Sequence, residues 1–208
     1  MAIAFRMAAG ILGWAALILQ YALVLTGTMG ADSFTRSINF FSYFTILVNI
    51  LAALALTLPW LAPQSAFGKF FARPTVRTAI TAYIIIVMTI VYFVLRHLTN
   101  LQGWDFVADL LLHYVMPVLF VIDWLFLVPK QTLRLRDTLG WLAFPVIYLV
   151  WTFIHGATSG FYPYPFLDTD KLGIARVLLN EAGLLIVFLA LGTILVAGGR
   201  LLDRRLRP

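Results

Sequence analysis

Long apolar stretches, broken by prolines, glycines and charged residues, divide the chain into a repeating pattern. A helix that crosses a bilayer needs about 20 mostly apolar residues. Six stretches meet this requirement, at residues 4–28, 38–58, 76–96, 106–128, 138–156 and 174–198. Prolines agree with these limits, because Pro59 follows the second stretch, Pro74 precedes the third and Pro129 closes the fourth. The pattern predicts an all-α integral membrane protein in which residues 1–208 form one domain of six transmembrane helices.

The composition excludes several classes of protein. Of the 208 residues, 62% are apolar and 12% are charged, and that charged fraction is roughly half the 25% of a soluble domain. The chain has no cysteine, which excludes disulfides, thiolate metal ligands and thiol nucleophiles. In a membrane protein, the net charge of +6 indicates cationic loops beside anionic lipid, and we expect no nucleic-acid partner.

Basic residues are distributed unevenly between the ends of the predicted helices. Eleven of the 15 fall on one side, at Arg6, Lys69, Arg73, Arg77, Lys130, Arg134, Arg136, Arg200, Arg204, Arg205 and Arg207. The other side carries Arg36, Arg96, Lys171 and Arg176. Because cytoplasmic loops are enriched in Lys and Arg, both termini are predicted to be cytoplasmic. The longest outer loop, residues 157–173, is rich in aromatic residues and prolines, which predicts a lid or plug packed at the interface.

Polar residues inside the predicted spans fall at one depth. Thr45 and His113 each lie seven residues from the outer end of their span, and Asn180 and Glu181 lie six or seven residues from theirs. At 1.5 Å per residue this is roughly 10 Å below the outer boundary. His155, at the end of the fifth span, reaches the same level. The inner half is almost wholly apolar, which favours a pocket open to the outer leaflet over a pore.

Thr45 and His113 are a candidate nucleophile and base, since an activated hydroxyl needs a base within hydrogen-bond reach. Asp109 lies one turn before His113 and would hold the imidazole in one tautomer. Ser42 shares a predicted helix face with Thr45. A structural role for Thr45 stays open, because threonines in membrane helices commonly bond to the carbonyl four residues earlier. Candidate donors to a developing oxyanion are Asn49, Asn180 and the hydroxyls of Tyr43 and Tyr114.

Two further acidic residues lie inside the predicted spans, where an unpaired charge is costly. Glu181 lies five residues after Arg176, and we expect these two side chains to pair near the interface. Asp123 lies near the cytoplasmic end of the fourth span. We expect it to pair with a base of the following loop, such as Lys130 or Arg134.

Two other classes of function stay open. His97, His113 and His155, together with Asp109, could form a zinc site of the kind that hydrolytic enzymes use, although each histidine belongs to a different span. Such a protein would be a zinc-dependent lipid hydrolase or amidase. The second alternative is a non-enzymatic lipid-binding or transport protein, which would favour polar residues through the whole membrane thickness.

Three motifs carry a resemblance to a known family. Residues 39–49 read NFFSYFTILVN, residues 109–117 read DLLLHYVMP and residues 162–168 read YPYPFLD. In these motifs and in its six spans, the chain resembles the androgen-induced-gene and ADTRP family of membrane hydrolases and its bacterial relatives. The resemblance implies an intramembrane hydrolase that cleaves fatty acid esters of hydroxy fatty acids or similar long-chain esters. It implies that Thr45 is the nucleophile and His113 its partner, with no cofactor, a substrate drawn from the bilayer and a location in the bacterial inner membrane.

Overall fold

The computed structural model describes the backbone of residues 1–27, 31–98 and 100–206, with side chains up to Asp203. This part of the chain contains helices and no strand. The α-helices are α1 (Ala2–Thr26), α2 (Ser33–Phe41), α3 (Phe44–Leu61), α4 (Ala66–Ala72), α5 (Pro74–Ile90), α6 (Gly103–Leu110), α7 (Met116–Leu127), α8 (Asp137–Trp141), α9 (Ala143–Ser159), α10 (Thr169–Leu172) and α11 (Ile174–Leu206).

Six helical segments within the described ranges are long and apolar enough to cross a membrane. They are Ala2–Thr26, Phe44–Leu61, Pro74–Leu98, Gly103–Leu127, Asp137–Ser159 and Ile174–Asp203. The predicted all-α, six-span architecture is therefore confirmed. The predicted end of the first span at residue 28 lies outside the described residues, as do Arg207 and the side chains of Arg204 and Arg205.

The second span begins later than the sequence predicts, and this changes the place of Thr45. The chain breaks after α2, at Ser42 and Tyr43, and the backbone of Tyr43 is extended (φ −81°, ψ 127°). The spanning helix α3 then starts at Phe44. Thr45 is consequently the second residue of its helix and not seven residues inside it. Its backbone N–H is one of the first-turn donors that have no acceptor within the helix.

Small residues let α1 pack closely along α3. A Cβ atom on Gly10 would lie 2.6 Å from the Thr57 side chain, and one on Gly13 would lie 2.7 Å from Met116. Both distances are shorter than any ordinary carbon–carbon contact. Gly10 therefore sets the spacing of α1 and α3, and Gly13 sets that of α1 and α7, as small residues commonly do between membrane helices.

Asp123 binds two arginines, and the predicted pairing with Lys130 or Arg134 is wrong. Its Oδ1 lies 2.6 Å from Nε of Arg6, and its Oδ2 lies 3.2 Å from Nε of Arg77, whose Nη2 makes a second contact. Asp123 is 0% exposed and Arg77 is 2% exposed. The partner Arg6 precedes Asp123 by 117 residues, and sequence spacing alone gives no indication of a contact at that separation.

Two backbone carbonyls, one before a proline inside α3 and one at the end of α7, are further acceptors for the two guanidinium groups. Pro59 has no N–H, so the carbonyl of Ala55 lacks its usual donor four residues later. Arg77 Nη1 donates to that carbonyl at 2.6 Å. Leu127 is the last residue of α7, and its carbonyl accepts from Arg6 Nη2 at 3.0 Å. The cluster of Arg6, Arg77 and Asp123 thereby joins α1, α3, α5 and α7.

The loop between α9 and α11 folds back onto the bundle as a plug. α9 ends at Ser159, and the positive φ of 71° at the following Gly160 reverses the chain direction. Tyr162 then packs against Gly156, where a Cβ atom would lie 2.1 Å from the tyrosine ring. Tyr164 and Leu167 are buried. The predicted packing of this loop against the membrane helices is present in the structure.

Polar contacts fix the far end of the plug. Asp168 accepts hydrogen bonds from the backbone N–H groups of Asp170 and Lys171, both at 3.1 Å, and pairs with the Lys171 ammonium at 2.8 Å. The hydrogen bond between these side chains lowers the pKa of Asp168 and raises the pKa of Lys171. Asn180 donates from Nδ2 to the carbonyl of Phe166 at 2.9 Å. Asn180 is thus an anchor of the plug.

Candidate functional site

Thr45, Asp109 and His113 line one cavity of about 310 Å³, which we call the histidine cavity. The first turn of α3, the helix α6 with the turn that follows it, α1 and the plug form its walls. The lining residues are Gln20, Val24, Phe40, Tyr43, Thr45, Ile46, Leu101, Asp105, Asp109, Leu112, His113 and Tyr164. The two residues that the sequence nominates as nucleophile and base therefore face a common space.

Thr45 contacts a tyrosine of the plug. Its backbone N–H donates to the hydroxyl oxygen of Tyr164 at 3.2 Å, and its own Oγ1 lies 3.2 Å from the same oxygen. The threonine is 6% exposed. Tyr164 thus contacts both the candidate nucleophilic oxygen and a first-turn N–H of the helix N-terminus.

Thr45 differs from buried threonines such as Thr57 and Thr81, although the hydroxyl of the buried Thr152 also lacks a hydrogen bond to its own helix. Thr57 and Thr81 donate to the carbonyl four residues earlier, at 2.7 and 2.8 Å, as expected for a structural threonine. Thr45 has no such bond in the described part of the chain, and its hydroxyl meets only Tyr164. Its hydroxyl therefore forms no hydrogen bond with its own helix.

His113 lies against Asp109, one turn earlier on the same helix face. Nδ1 of His113 is 2.7 Å from Oδ1 of Asp109, which is ion-pair distance. The two atoms are not aligned as a hydrogen bond, so Nδ1 is close to the carboxylate without being hydrogen-bonded to it. Because Nδ1 faces the carboxylate, Nε2 is the ring nitrogen available for proton transfer. No direct hydrogen bond joins His113 to Thr45 in the described structure.

His113 belongs to a π turn, a wider turn that is frequent at functional sites. The turn covers Leu111–Val115, and the N–H of Met116 bonds to the carbonyl of Leu111, five residues earlier. Pro117 follows directly and has no N–H, and in a regular α-helix its ring would clash with the carbonyl of His113. The widened turn accommodates that proline and sets the position of the imidazole.

Asn49 ties the threonine helix to this π turn. Its Nδ2 donates to the carbonyl of Thr45 at 2.9 Å and to the carbonyl of Leu112 at 3.1 Å. The Leu112 carbonyl is free for this bond because the π turn has taken its normal donor and Pro117 offers none. Both amide hydrogens of Asn49 are therefore engaged in this structure, which favours a role for Asn49 in positioning over donation to an oxyanion. Asn49 is a positioning residue.

Ser42 and His155 lie together, away from the histidine cavity. The Ser42 hydroxyl donates to the carbonyl of Ile38 at 2.8 Å and accepts from the Trp151 indole at 3.0 Å. His155 Nε2 lies 2.9 Å from Oδ1 of Asn39, and its ring stacks on Trp151 with 5.5 Å between centroids. These contacts join the α2 region to α9. Because Ser42 precedes the start of α3 at Phe44, it does not share a helix face with Thr45, contrary to the prediction.

The other candidate oxyanion donors, which are Asn180, Tyr43 and Tyr114, occupy different places. Asn180 uses its amide to anchor the plug and does not line the histidine cavity. Tyr43 does line it. Tyr114 lines an adjoining cavity of about 590 Å³, which also reaches Asp109 and His113.

Glu181 lines a separate small cavity, which we call the glutamate cavity. Its volume is about 50 Å³, and Thr45 and Tyr164 form part of its wall. Glu181 is 8% exposed. The expected pair with Arg176 is not formed, and within the described ranges no ion pair includes Glu181. Thr45 and Tyr164 therefore stand between two cavities, one with a histidine and one with a glutamate.

Tyr164 is the residue of this site that sequence reasoning missed. It is 9% exposed, and its burial raises its pKa to about 12, so its hydroxyl keeps its proton at neutral pH. The signal in the sequence is the YPYPF segment at 162–166, which predicts a packed loop without showing which ring points inward.

The structure separates the residues of the zinc alternative. Arg96 Nε donates to Nε2 of His97 at 3.2 Å, His113 lies against Asp109, and His155 has a partner on another helix. Within the described part of the chain, no group of three His, Asp or Glu side chains is close enough to hold a metal ion. The proposed zinc ligands are therefore not assembled.

The helices and cavities define a multi-pass membrane protein with a polar site at the start of its second spanning helix. Comparison of the chain with protein-family models, with curated proteins and with solved structures finds no match. The function is therefore inferred from the geometry of the site.

Proposed function

We propose that the protein is an intramembrane lipid ester hydrolase with Thr45 as nucleophile and His113 as general base. The observation that carries this proposal is the histidine cavity, which Thr45, His113 and Asp109 line together. A threonine free of helical back-bonding, a histidine and a carboxylate beside that histidine are the parts that a hydroxyl nucleophile requires.

The geometry supports a two-step acyl transfer. Thr45 Oγ1 attacks the acyl carbonyl while His113 Nε2 takes the hydroxyl proton. Collapse of the tetrahedral intermediate breaks the carbon–oxygen bond of the ester, and His113 returns the proton to the leaving alcohol. A water deprotonated by His113 then attacks the acyl-threonine, the bond from Thr45 Oγ1 to the acyl carbon breaks with release of the carboxylic acid, and His113 returns the proton to Oγ1. Asp109 stabilises the imidazolium in both steps.

The N-terminus of α3 and Tyr164 provide the groups for a developing oxyanion. The Thr45 N–H is a first-turn donor at the positive end of the helix dipole, and it would exchange the Tyr164 hydroxyl for the oxyanion when substrate binds. The Tyr164 hydroxyl is a second donor 3.2 Å from Thr45 Oγ1. Hydrogen-bond donors that are already in place, in a site of low polarity, typically stabilise such an intermediate more than any other group does.

The surroundings favour an ester drawn from the bilayer. The cavities lie between membrane helices and have mainly apolar walls. Esters with a long chain fit this environment, and the family resemblance implies fatty acid esters of hydroxy fatty acids or similar long-chain esters. The mechanism uses no cofactor. We place the protein in the bacterial inner membrane, as the same resemblance implies.

We propose that both termini are cytoplasmic, because basic residues concentrate at that end of the spans. The candidate site then opens toward the outer leaflet. The absence of cysteine allows a clean test with Asp170→Cys and Gln64→Cys, which change exposed residues at opposite ends of the bundle. In right-side-out vesicles an impermeant maleimide is expected to label the variant at 170 and to label the variant at 64 only after permeabilisation. The reverse pattern would invert the topology.

A fluorophosphonate probe tests the nucleophile directly, since it reacts with activated hydroxyl groups. In purified, folded protein, mass spectrometry is expected to place the adduct on Thr45. Thr45→Ala and His113→Ala are expected to lose the adduct. The matched control Thr81→Ala changes another buried threonine and is expected to keep it. An adduct elsewhere, or none on the wild type, counts against the proposal.

A further inference from the structure

Glu181 is a buried carboxyl group without a partner. It is the one glutamate of the chain, and it forms no hydrogen bond or ion pair with any residue that the structure describes. Tyr148 and Tyr164 share its cavity. The Tyr148 hydroxyl donates to the carbonyl of Ser42 at 3.1 Å, and Tyr164 is engaged with Thr45. Burial of such a group is costly unless something else supplies a donor.

Each of the two cavities would hold one arm of an ester substrate. The leaving alcohol must lie next to the acid that protonates it, and His113 lines the histidine cavity but not the glutamate cavity. Thr45 and Tyr164 line both. An ester whose carbonyl lies at Thr45 therefore directs its alcohol arm into the histidine cavity and its acyl arm into the glutamate cavity.

We propose that Glu181 recognises a hydrogen-bond donor, a hydroxyl or amino group, on the acyl arm of the substrate. The assignment of the arms rests on the proposed hydrolase function. A donor in this position would form a hydrogen bond with the carboxyl, which no described residue of the protein does. Acyl chains without a donor would leave the carboxyl unpaired, and sites built around a polar partner reject such analogues strongly.

The size of the glutamate cavity narrows the substrate class. Its volume is about 50 Å³, and on this measure one water needs roughly 10–15 Å³. The cavity therefore holds a few non-hydrogen atoms, so the donor lies within a few bonds of the carbonyl. The long chain belongs to the alcohol arm, in the larger cavities around His113. The substrate is a short hydroxyacyl or aminoacyl ester of a long-chain lipid alcohol, and it differs from the fatty acyl esters that the family resemblance implies in having its long chain on the alcohol arm.

Matched esters of hexadecanol test this inference. Butanoyl, 3-hydroxybutanoyl and 3-aminobutanoyl esters have similar size and differ in the donor. Wild-type protein is expected to hydrolyse the better of the two donor-bearing esters with a kcat/KM roughly tenfold to a hundredfold above that of the butanoyl ester. Preference for the hydroxyl or for the amino ester distinguishes the two donor chemistries. A preference for the butanoyl ester would overturn the inference.

Two variants connect the preference to the carboxyl. Glu181→Leu has no acceptor and is expected to hydrolyse all three esters at similar rates. Glu181→Gln keeps an acceptor without charge and is expected to keep a preference for the hydroxyl ester while losing one for the amino ester. Because the carboxyl has no protein partner, both variants are expected to fold with a Tm no lower than that of the wild type. An unchanged preference in Glu181→Leu would overturn the inference.

Binding without turnover separates this inference from the proposed function. In Thr45→Ala protein, a donor-bearing ester is expected to raise the Tm more than the butanoyl ester does, and Glu181→Leu is expected to abolish the difference. If no ester is hydrolysed by the wild type but this binding difference persists, the hydrolase proposal fails and recognition by Glu181 stands. If hydrolysis occurs without the binding difference, the recognition by Glu181 fails alone.

Discussion

Replacement of Thr45 by alanine is expected to lower kcat for lipid-ester hydrolysis by a factor on the order of 10³ to 10⁶. The reason is that the oxygen that forms the acyl intermediate is gone, while the cavity and its apolar walls remain. Thr45→Ser keeps a hydroxyl at the same place and is expected to retain a measurable part of the activity. Initial rates with detergent-solubilised protein and a long-chain ester measure both effects.

His113→Ala is expected to lose a similar factor, and the double variant is expected to be no worse than either single one, because nucleophile and base act as a unit. Tyr164→Phe removes one oxyanion donor and is expected to cost roughly a hundredfold to a thousandfold in kcat. Thr81→Ala is the control and is expected to match the wild type. Near wild-type turnover by Thr45→Ala would refute the mechanism.

Replacement of Asp123 by alanine is expected to destabilise the protein by about 3–5 kcal/mol, because it leaves two guanidinium groups without their counter-ion in a buried place. Arg77 is buried and Arg6 is partly exposed, so Arg77→Gln is expected to cost more than Arg6→Gln. Thermal unfolding in detergent, followed by circular dichroism, measures the order of the three variants.

Asp170→Asn is the matched control for this series, since it alters an exposed acidic residue outside the spans. Its Tm is expected to equal that of the wild type within error. Joint replacement of Arg6, Asp123 and Arg77 by apolar residues of similar size is expected to recover much of the stability lost in Asp123→Ala. A wild-type Tm for Asp123→Ala would show that the buried charges contribute nothing to stability.

Features that depend on local sequence were predictable. Spans could be located because a bilayer sets the length of an apolar helix. The contact between Asp109 and His113 follows from a spacing of four residues on one helix face. The start of the second span was not predictable from hydropathy, because apolar residues such as Phe40 and Phe41 continue the pattern up to the break at Ser42.

Features that depend on distant chain segments were not predictable. The partners of Asp123 come from two other helices, and the nearest basic residues in sequence are not those in space. Tyr164 reaches Thr45 across 119 residues. The role of Asn49 depends on a carbonyl that is free only because a π turn forms before Pro117. Each of these contacts depends on helix packing, which one sequence read linearly does not contain.

The proline at position 59 has a consequence for how the bundle assembles in the bilayer. An isolated second span would present the carbonyl of Ala55 to lipid with no donor. That donor, Arg77, arrives with the third span, and its counter-ion, Asp123, arrives with the fourth. A nascent chain that stops before the third span leaves the Ala55 carbonyl without a hydrogen bond, and one that stops before Asp123 leaves the Arg77 charge without a counter-ion. The polar groups at this end of the protein are therefore all paired only after four spans have been inserted.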